Sequence, residues 1–310
     1  MKAFDAQAAN GFVLSQTSHV EQGVYETKYA DIQYPQLIPV DNSAHPFAKS
    51  VTYFSSDKFG AADWMNGNAD DVPLAGTERA KHETEVHTAA IGYSWGWEEI
   101  NQAMMLGRNL PSEDAMAARR AYEEMVDRVA LQGDSSKGFS GGLFNHADVT
   151  VTAATTGGWA SATAAQILGD VNQALTAVQT GTNNVRMADT LLLPYNRFNT
   201  ISSMQMSSGS DKTVFEWIKQ NNAYTATTGQ PLTIRALGGL DTVGTGVSPA
   251  GPRMIAYRRS PEVLKLHLPM PLRFLPVYQD GPLRWLVPGV FRLGGLDIRL
   301  PKEVIYIDGI

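Results

Sequence analysis

Five short stretches of this chain hold residues that could do chemistry. Gly138-Phe-Ser-Gly-Gly142 matches, letter for letter, the Gly-x-Ser-x-Gly turn that presents a nucleophilic serine. That turn works only where a buried strand runs into the serine and a helix leaves it. Ser135-Ser-Lys137 precedes and Leu143-Phe-Asn-His146 follows, so neither context is present and the segment reads as a flexible glycine loop. His82-Glu-Thr-Glu-Val-His87 approaches the zinc-protease pattern His-Glu-x-x-His, but its second histidine falls one residue late. On a strand the two rings would point to opposite faces, because five is an odd offset. Gly244-Thr-Gly246 with Gly251 is too irregular for a phosphate cradle, and no helix follows it. The neighbouring pairs Asp70 with Asp71 and Glu98 with Glu99 diverge on a strand or helix instead of converging on a substrate. The six histidines are dispersed and cysteine is absent, which removes disulfides, thiolate metal sites and a cysteine nucleophile. The expectation is therefore a chain that is not an enzyme, with no catalytic residue, no metal site and no cofactor. A serine hydrolase using Ser140 is the competing reading from that class.

The elements that would have to position any such residues point elsewhere. Residues 1–49 read as an arm: Pro35, Pro39 and Pro46 punctuate an extended stretch whose apolar residues are scattered. Such a segment has to lie on its own globule or on a neighbour. Residues 50–95 read as a long β-hairpin, with limbs at 50–54 and 83–95 and a Gly-, Asp- and Asn-rich tip from Asp57 to about Ala80. A tip of that length without its own core is usually functional or mobile. A short helix over 97–106 ends at Gly107. The clearest helix runs over 112–132, with Ser112 as N-cap, Glu113 and Asp114 in the first turn and Gly133 after its end. Ala115, Ala118, Tyr122, Met125, Val126 and Val129 form its apolar stripe, and Arg120 and Glu124 pair on its wet side.

From 161 onward helices and strands alternate. Helices are expected over 161–180, from Pro194 to about Met204 and from Asp211, with strands at 190–193, 231–236 and 253–257. The Gly-rich loop 237–252 reads as mobile, and Ser260-Pro261 as the start of a short helix. Two long β-like runs, 264–278 and 283–300, contain Pro269, Pro271, Pro276 and Pro288. Proline is tolerated at edges and bulges, so these runs should lie at a sheet edge or bend strongly. Val304-Ile-Tyr-Ile307 is a last apolar strand.

Composition bounds the whole. The 310 residues are 43% hydrophobic, enough for a core, and only 18% charged, against about 25% in soluble domains. A low charge fraction implies surfaces buried in an assembly. The net charge of −6 is unevenly spread: residues 1–100 hold 6 basic and 14 acidic side chains, and residues 251–310 hold 9 and 5. An acidic front and a basic tail can pair within one chain or between copies. No cationic leader with an apolar run opens the chain, and no apolar stretch nears the length of a membrane span. The expectation is a soluble protein with no membrane contact.

The serial order of arm, long hairpin, rod helix, α/β module and proline-bent strands resembles the major capsid proteins of tailed bacteriophages, whose fold is shared with encapsulin nanocompartment shells. Tyr29-Ala-Asp-Ile-Gln-Tyr34, Trp64-Met-Asn-Gly-Asn-Ala-Asp-Asp-Val-Pro-Leu74, Ile91-Gly-Tyr-Ser-Trp-Gly-Trp97, Ala117-Ala-Arg-Arg-Ala-Tyr-Glu-Glu124 and Asp127-Arg-Val-Ala-Leu-Gln-Gly-Asp134 carry the likeness. They resemble an encapsulin-like branch of phage capsid proteins. The resemblance implies an α+β tailed-phage major capsid fold. Its parts would be an N-terminal arm (1–49), an extended loop (50–95), a peripheral domain (96–160) with its spine helix at 112–132 and an axial domain (161–260). A long peripheral hairpin (261–301) and a C-terminal strand returning to the axial domain (302–310) would complete it. It implies a shell of pentamers and hexamers around double-stranded DNA, in a virion assembled in the bacterial host cytoplasm. Partners would be further copies, non-specific contact with packaged DNA, and separate scaffolding, portal and decoration proteins. The alternative within the fold is a nanocompartment shell around an enzyme cargo. Candidate assembly contacts are Lys58, Phe59, Trp64 and Met65 in the loop, Arg119, Arg120, Glu123 and Glu124 on the spine helix, and Arg273 and Arg284 in the late hairpin.

Overall fold

The computed structural model describes residues 31–64, 72–106, 110–207, 209–247 and 250–310. The described elements belong to the compact unit Ile32–Ile310. Residues 1–30 of the expected arm, the helix stop at Gly107 and the pair Asp70 and Asp71 lie outside the described residues.

The last part of the expected arm is not core-less. Helix α1 (Tyr34–Leu37) buries Tyr34, Leu37 and the following Ile38 in the main core. Asp127 accepts hydrogen bonds from the backbone N–H of Gln33 (3.0 Å) and Tyr34 (2.8 Å), which satisfies the start of this turn. Strand β1 (Val40–Asp41) then pairs with a strand more than two hundred residues later. The scattered apolar residues hid this because a single turn has too few positions to show a period.

Strands β2 (Ser50–Phe59) and β3 (Gly76–Glu85) pair through ten residues each and, among the described residues, with no other strand. The expected return limb is cut at Val86, which is buried and donates its N–H to the Lys49 carbonyl (2.9 Å). Beyond it, β4 (His87–Gly96) leaves the hairpin and pairs over its whole length with a late strand. β3 is exposed at most positions, whereas β4 starts by alternating half-buried and exposed residues, and neither pattern names the strand alongside.

Helix α2 (Trp97–Leu106) is where periodicity put it. Helix α3 (Leu110–Gln132) starts two residues before the expected N-cap, with Pro111 in its first turn, where a missing N–H costs nothing. Ala118, Tyr122, Val126 and Val129 of the expected stripe are buried. The helix stops at Gly133, whose φ of +80° is the left-handed C-terminal conformation that glycine alone adopts freely.

The second half builds one mixed sheet from β5 (Thr150–Ala153), β6 (Thr190–Pro194), β7 (Thr233–Leu237), β8 (Arg253–Tyr257) and β14 (Val304–Asp308), in the order β5-β14-β8-β6-β7. Helices α4 (Ala164–Gly181), α5 (Tyr195–Ser203), α6 (Val214–Gln220) and α7 (Ala223–Thr228) accompany it. Thr163 and Gln166 close a full capping box at the start of α4. Two hydrophobic cores share the sheet. Leu192, Ile255, Tyr257, Val304 and Tyr306 enter the core that contains α3. The alternating Leu191, Leu193, Met254, Ala256, Ile305 and Ile307 enter the one that contains α4. Burial on both faces is why these strands read as unbroken apolar runs. The expected helix at Ser260 is a single turn, closed by hydrogen bonds from Val263 and Leu264 to the Ser260 carbonyl.

The two long proline-containing runs are divided. β9 (Leu264–His267) joins β1 and β13 (Leu296–Ile298), while β10 (Met270–Phe274) and β11 (Tyr278–Gly281) pair with β12 (Arg284–Leu293), whose other edge carries β4. β12 is therefore an internal strand, and Pro288 sits inside it. The Pro288 carbonyl accepts from Leu275 (2.8 Å), so its ring nitrogen faces the same side, where the partner breaks between β10 and β11. No ladder hydrogen bond is lost there. On the other side Pro288 faces Gly92, where an added Cβ would come within 2.6 Å of the Val287 carbonyl oxygen.

A buried ion pair fastens the final strand. Arg253 Nε donates to Asp308 Oδ1 (2.6 Å), with 2% and 0% side-chain exposure, and Arg253 Nη1 donates to the Phe144 carbonyl (2.6 Å). Asp308 also accepts from the Gly246 N–H (2.7 Å), and Gly244 and Gly251 exchange backbone hydrogen bonds. The glycine-rich loop expected to be mobile is thus tied to β14 where it is described. Asp308→Ala would strand the Arg253 guanidinium and lower subunit stability by roughly 3–5 kcal/mol. Gly92→Val would lower it by about 1–3 kcal/mol through forced strand separation. Thermal denaturation of the unassembled subunit checks both, and unchanged melting contradicts either assignment.

Candidate assembly surface

Among the described residues, those whose types suggested chemistry do not converge on one another. Ser140 lies on the wall of a cleft of about 510 Å³, with Tyr53, His82, His146, Asp148 and Asp297 also lining it. Among the described residues no hydrogen bond joins Ser140 to a histidine. His146 Nδ1 instead accepts from the Asp148 N–H (3.3 Å), and burial holds its imidazole below the ordinary range. His82 and His87 belong to different strands, β3 and β4, so the expectation of one shared strand fails with the break at Val86. Among the described residues no group of three His, Asp or Glu side chains is placed to hold a metal. No described helix is long and apolar enough to cross a membrane.

What the fold does present is an unburied hairpin on an anchored root. At the root, Tyr53 lies under the Arg299 guanidinium (4.5 Å to the ring centroid) and stacks on His82 (4.8 Å). Arg299 donates to Asp297 (3.1 Å), and Asp297 meets the buried His267 (Nε2 to Oδ2, 3.3 Å). Asp41 of β1 binds Lys265 (3.2 Å). Burial by itself would raise the Asp41 carboxyl, but hydrogen bonds from Ser43 and the Lys265 ammonium reverse this and bring it to about 2. Asp297 is likewise lowered, because His267 and Arg299 outweigh the opposing effect of burial. The chain of charges runs from the body of the subunit to the base of the hairpin.

Beyond the root, the hairpin has almost no interior. Strand β2 is half-buried only at Ser50, Val51 and Tyr53, and β3 only at Gly76 and Thr84. Each strand rises about 3.4 Å per residue, so the hairpin carries its exposed residues about 30 Å from the root. Two strands alone are marginally stable in water. Phe54 (71% exposed), Phe59 (60%), Trp64 (100%) and Leu74 (85%) offer apolar surface to solvent in a single subunit.

The candidate contacts divide by place. Lys58, Phe59 and Trp64 are exposed on the hairpin or just past it, and Phe59 lies over Gly76 of the facing strand. Met65 lies outside the described residues. On α3, Arg119 is exposed, while Arg120 pairs with Glu124 (2.8 Å). Glu123 is engaged within the subunit, accepting from the Tyr34 hydroxyl (2.8 Å). Arg273 and Arg284 are exposed on β10 and β12, and Arg284 reaches Ser94 (3.3 Å). Residue type alone did not reveal Phe54 and Arg79 on the hairpin, Met104 and Met105 on α2, or Val277 and Leu283 beside β11, all of them exposed. An apolar residue on a segment with polar neighbours on both faces was the available signal.

The sequence matches the model of the major capsid protein family over residues 60–310. This chain belongs to the major capsid protein family. It is a capsid shell subunit. No curated protein matches it in sequence. Among solved structures it is similar to the capsid of Myoviridae phage XM1, with a TM-score of 0.80 and 20% identity over 96% of this chain and 98% of that one. It is also similar to the capsid of an empty GTA particle (TM-score 0.65, 11% identity, 99% of each chain). A third likeness is to Mycobacterium phage Bobi (0.62, 13%, 98% of this chain and 99% of that one). The tailed-phage capsid fold expected from the serial order is therefore the fold of this capsid protein.

Two measurements test the body and root described here. Tyr122 is buried and meets Phe291 edge-on (4.8 Å), so Tyr122→Asp would cost roughly 2–4 kcal/mol; an unchanged melting temperature contradicts this packing. The Asp41 carboxyl sits below its ordinary 3.8, so its contribution is complete above about pH 4 and fades as pH falls toward 2. Asp41→Asn should remove that part of the acid dependence of unfolding, and an identical acid limb for wild type and variant contradicts the assignment.

Proposed function

We propose that this capsid protein self-assembles into pentamers and hexamers of an icosahedral shell that encloses double-stranded DNA. The observation that carries the reading is the hairpin of β2 and β3, which among the described residues pairs with no other strand and leaves most of its surface uncovered. A structure of this kind gains stability when a neighbour covers it, so burial missing in one subunit is supplied by assembly. Regional roles follow from the same reading. The hairpin would be the extended loop, with β4, α3 and β9–β13 as the peripheral region. The sheet of β5–β8 and β14 with helices α4–α7 would be the axial region. The shell would form in the bacterial host cytoplasm, with packaged DNA in non-specific contact and scaffolding, portal or decoration proteins as separate chains. The protein would act without catalysis.

A net charge of −6 suits such a container, because strong affinity for the DNA inside would oppose its release. Electron microscopy of the expressed full chain should reveal closed particles, and a monodisperse monomer at high concentration would overturn the reading. Removing residues 57–80 should leave a folded subunit that forms no closed particle; normal particles from that variant would contradict the role given to the hairpin.

A further inference from the structure

The two broad faces of the hairpin differ in charge. Side chains alternate along each strand, and the register puts Phe54, Lys58, Arg79 and Lys81 on one face and Asp57 opposite Glu78 on the other. Near the turn, one face is thus three cations around an exposed aromatic ring. Lys81 is tied to Glu83 nearer the root (2.8 Å), whereas Lys58 and Arg79 form no ion pair among the described residues. All four side chains are exposed.

A surface of matching character lies on α2. Trp97, Met104 and Met105 are exposed there, at 53%, 74% and 80%. Glu98 and Glu99 are exposed in its first turn, and no Lys or Arg occurs in Trp97–Leu106. The helix is attached on one side, where the Trp97 N–H donates to the Leu283 carbonyl (2.9 Å) and β4 leads into it. Because both patches are open in the single chain, the hairpin does not cover its own α2.

We propose that the cationic face of the hairpin of one subunit docks on α2 of a second copy. Phe54 meets the Met104 and Met105 surface, while Arg79 and Lys81 face Glu98 and Glu99. The inference rests on the shell-subunit reading above and adds which surface the hairpin meets and with which face. Methionine side chains adapt to an incoming ring, and the opposite charges fix which way the hairpin lies. A polyanion would answer the cations but leave the exposed ring and the acidic, Met-rich helix unexplained.

Charge reversal in the full chain tests this. Arg79→Glu with Lys81→Glu, and separately Glu98→Lys with Glu99→Lys, change exposed side chains at the cost of two surface contacts, Lys81 with Glu83 (2.8 Å) and the Gly96 N–H on Glu99 (3.4 Å), so circular dichroism should match wild type and melting should fall by no more than a few degrees. Each double variant should give at least tenfold fewer shells by sedimentation and electron microscopy, and the combined four-site variant should recover them. Wild-type shell yield from the Arg79 and Lys81 variant overturns the proposal, including the case where only nucleic-acid retention falls. Failure of the four-site variant while wild type assembles also overturns it. Absence of shells from wild type overturns the underlying reading instead, so the two failures are distinguishable.

Discussion

Ten residue pairs of antiparallel strand with almost no buried face are the constraint around which this molecule is organised. Backbone hydrogen bonds between two strands do not outweigh the conformational entropy of ordering them unless side chains are also removed from water. The subunit supplies that burial at the root alone, through Tyr53, Arg299 and the charges behind them. Nearly everything farther out stays exposed in the single chain. The incompleteness is local, since the body beneath is thoroughly packed.

That body holds the hairpin because its own parts are firmly joined. One sheet is buried on both faces, and alternate residues of β14 enter opposite cores. Arg253 links β8 to β14 and to the Phe144 carbonyl, and Tyr306 donates to the Leu143 carbonyl (2.8 Å), so the segment after α3 is bound to the sheet. A load on the hairpin therefore passes through Tyr53 and Arg299 to strands that cannot shift singly. Close packing makes such a frame resist gradual deformation.

Much of this was legible in the sequence, and the failures have physical causes. The strands at 253–257 and 304–308 stand out because burial on two sides demands consecutive apolar residues, and α3 stands out through its 3.6-residue stripe. The change of partner at Val86 was invisible because period-two alternation says which face a side chain occupies and nothing about which strand lies beside it. Pro288 misled for a related reason: a proline excludes one hydrogen bond on one side, and only the tertiary fold tells whether a partner is there to miss it. The root cluster joins Asp41 to Lys265 and Tyr53 to Arg299, pairs far beyond the reach of local pattern. Exposure could be anticipated for Lys58 and Trp64 from their surroundings, whereas the internal engagement of Glu123 by Tyr34 could not.

The position of β14 bears on how a subunit is made. This strand lies inside the five-stranded sheet, yet it is made after the four strands it joins. Its parallel partner β5 was synthesised some 150 residues before. Non-local pairing of this kind is slow, so the sheet cannot close until β14 has been made. The hairpin, by contrast, is a local structure whose two limbs emerge early. Nascent chains thus display an open-edged ribbon before they own a completed body, a state that invites indiscriminate strand pairing. The lysines and arginine on β2 and β3 work against such pairing, because each would be forced beside a like charge in a stacked copy. Synthesis order then acts as a timer, deferring a rigid anchorage for the ribbon until β14 has left the ribosome.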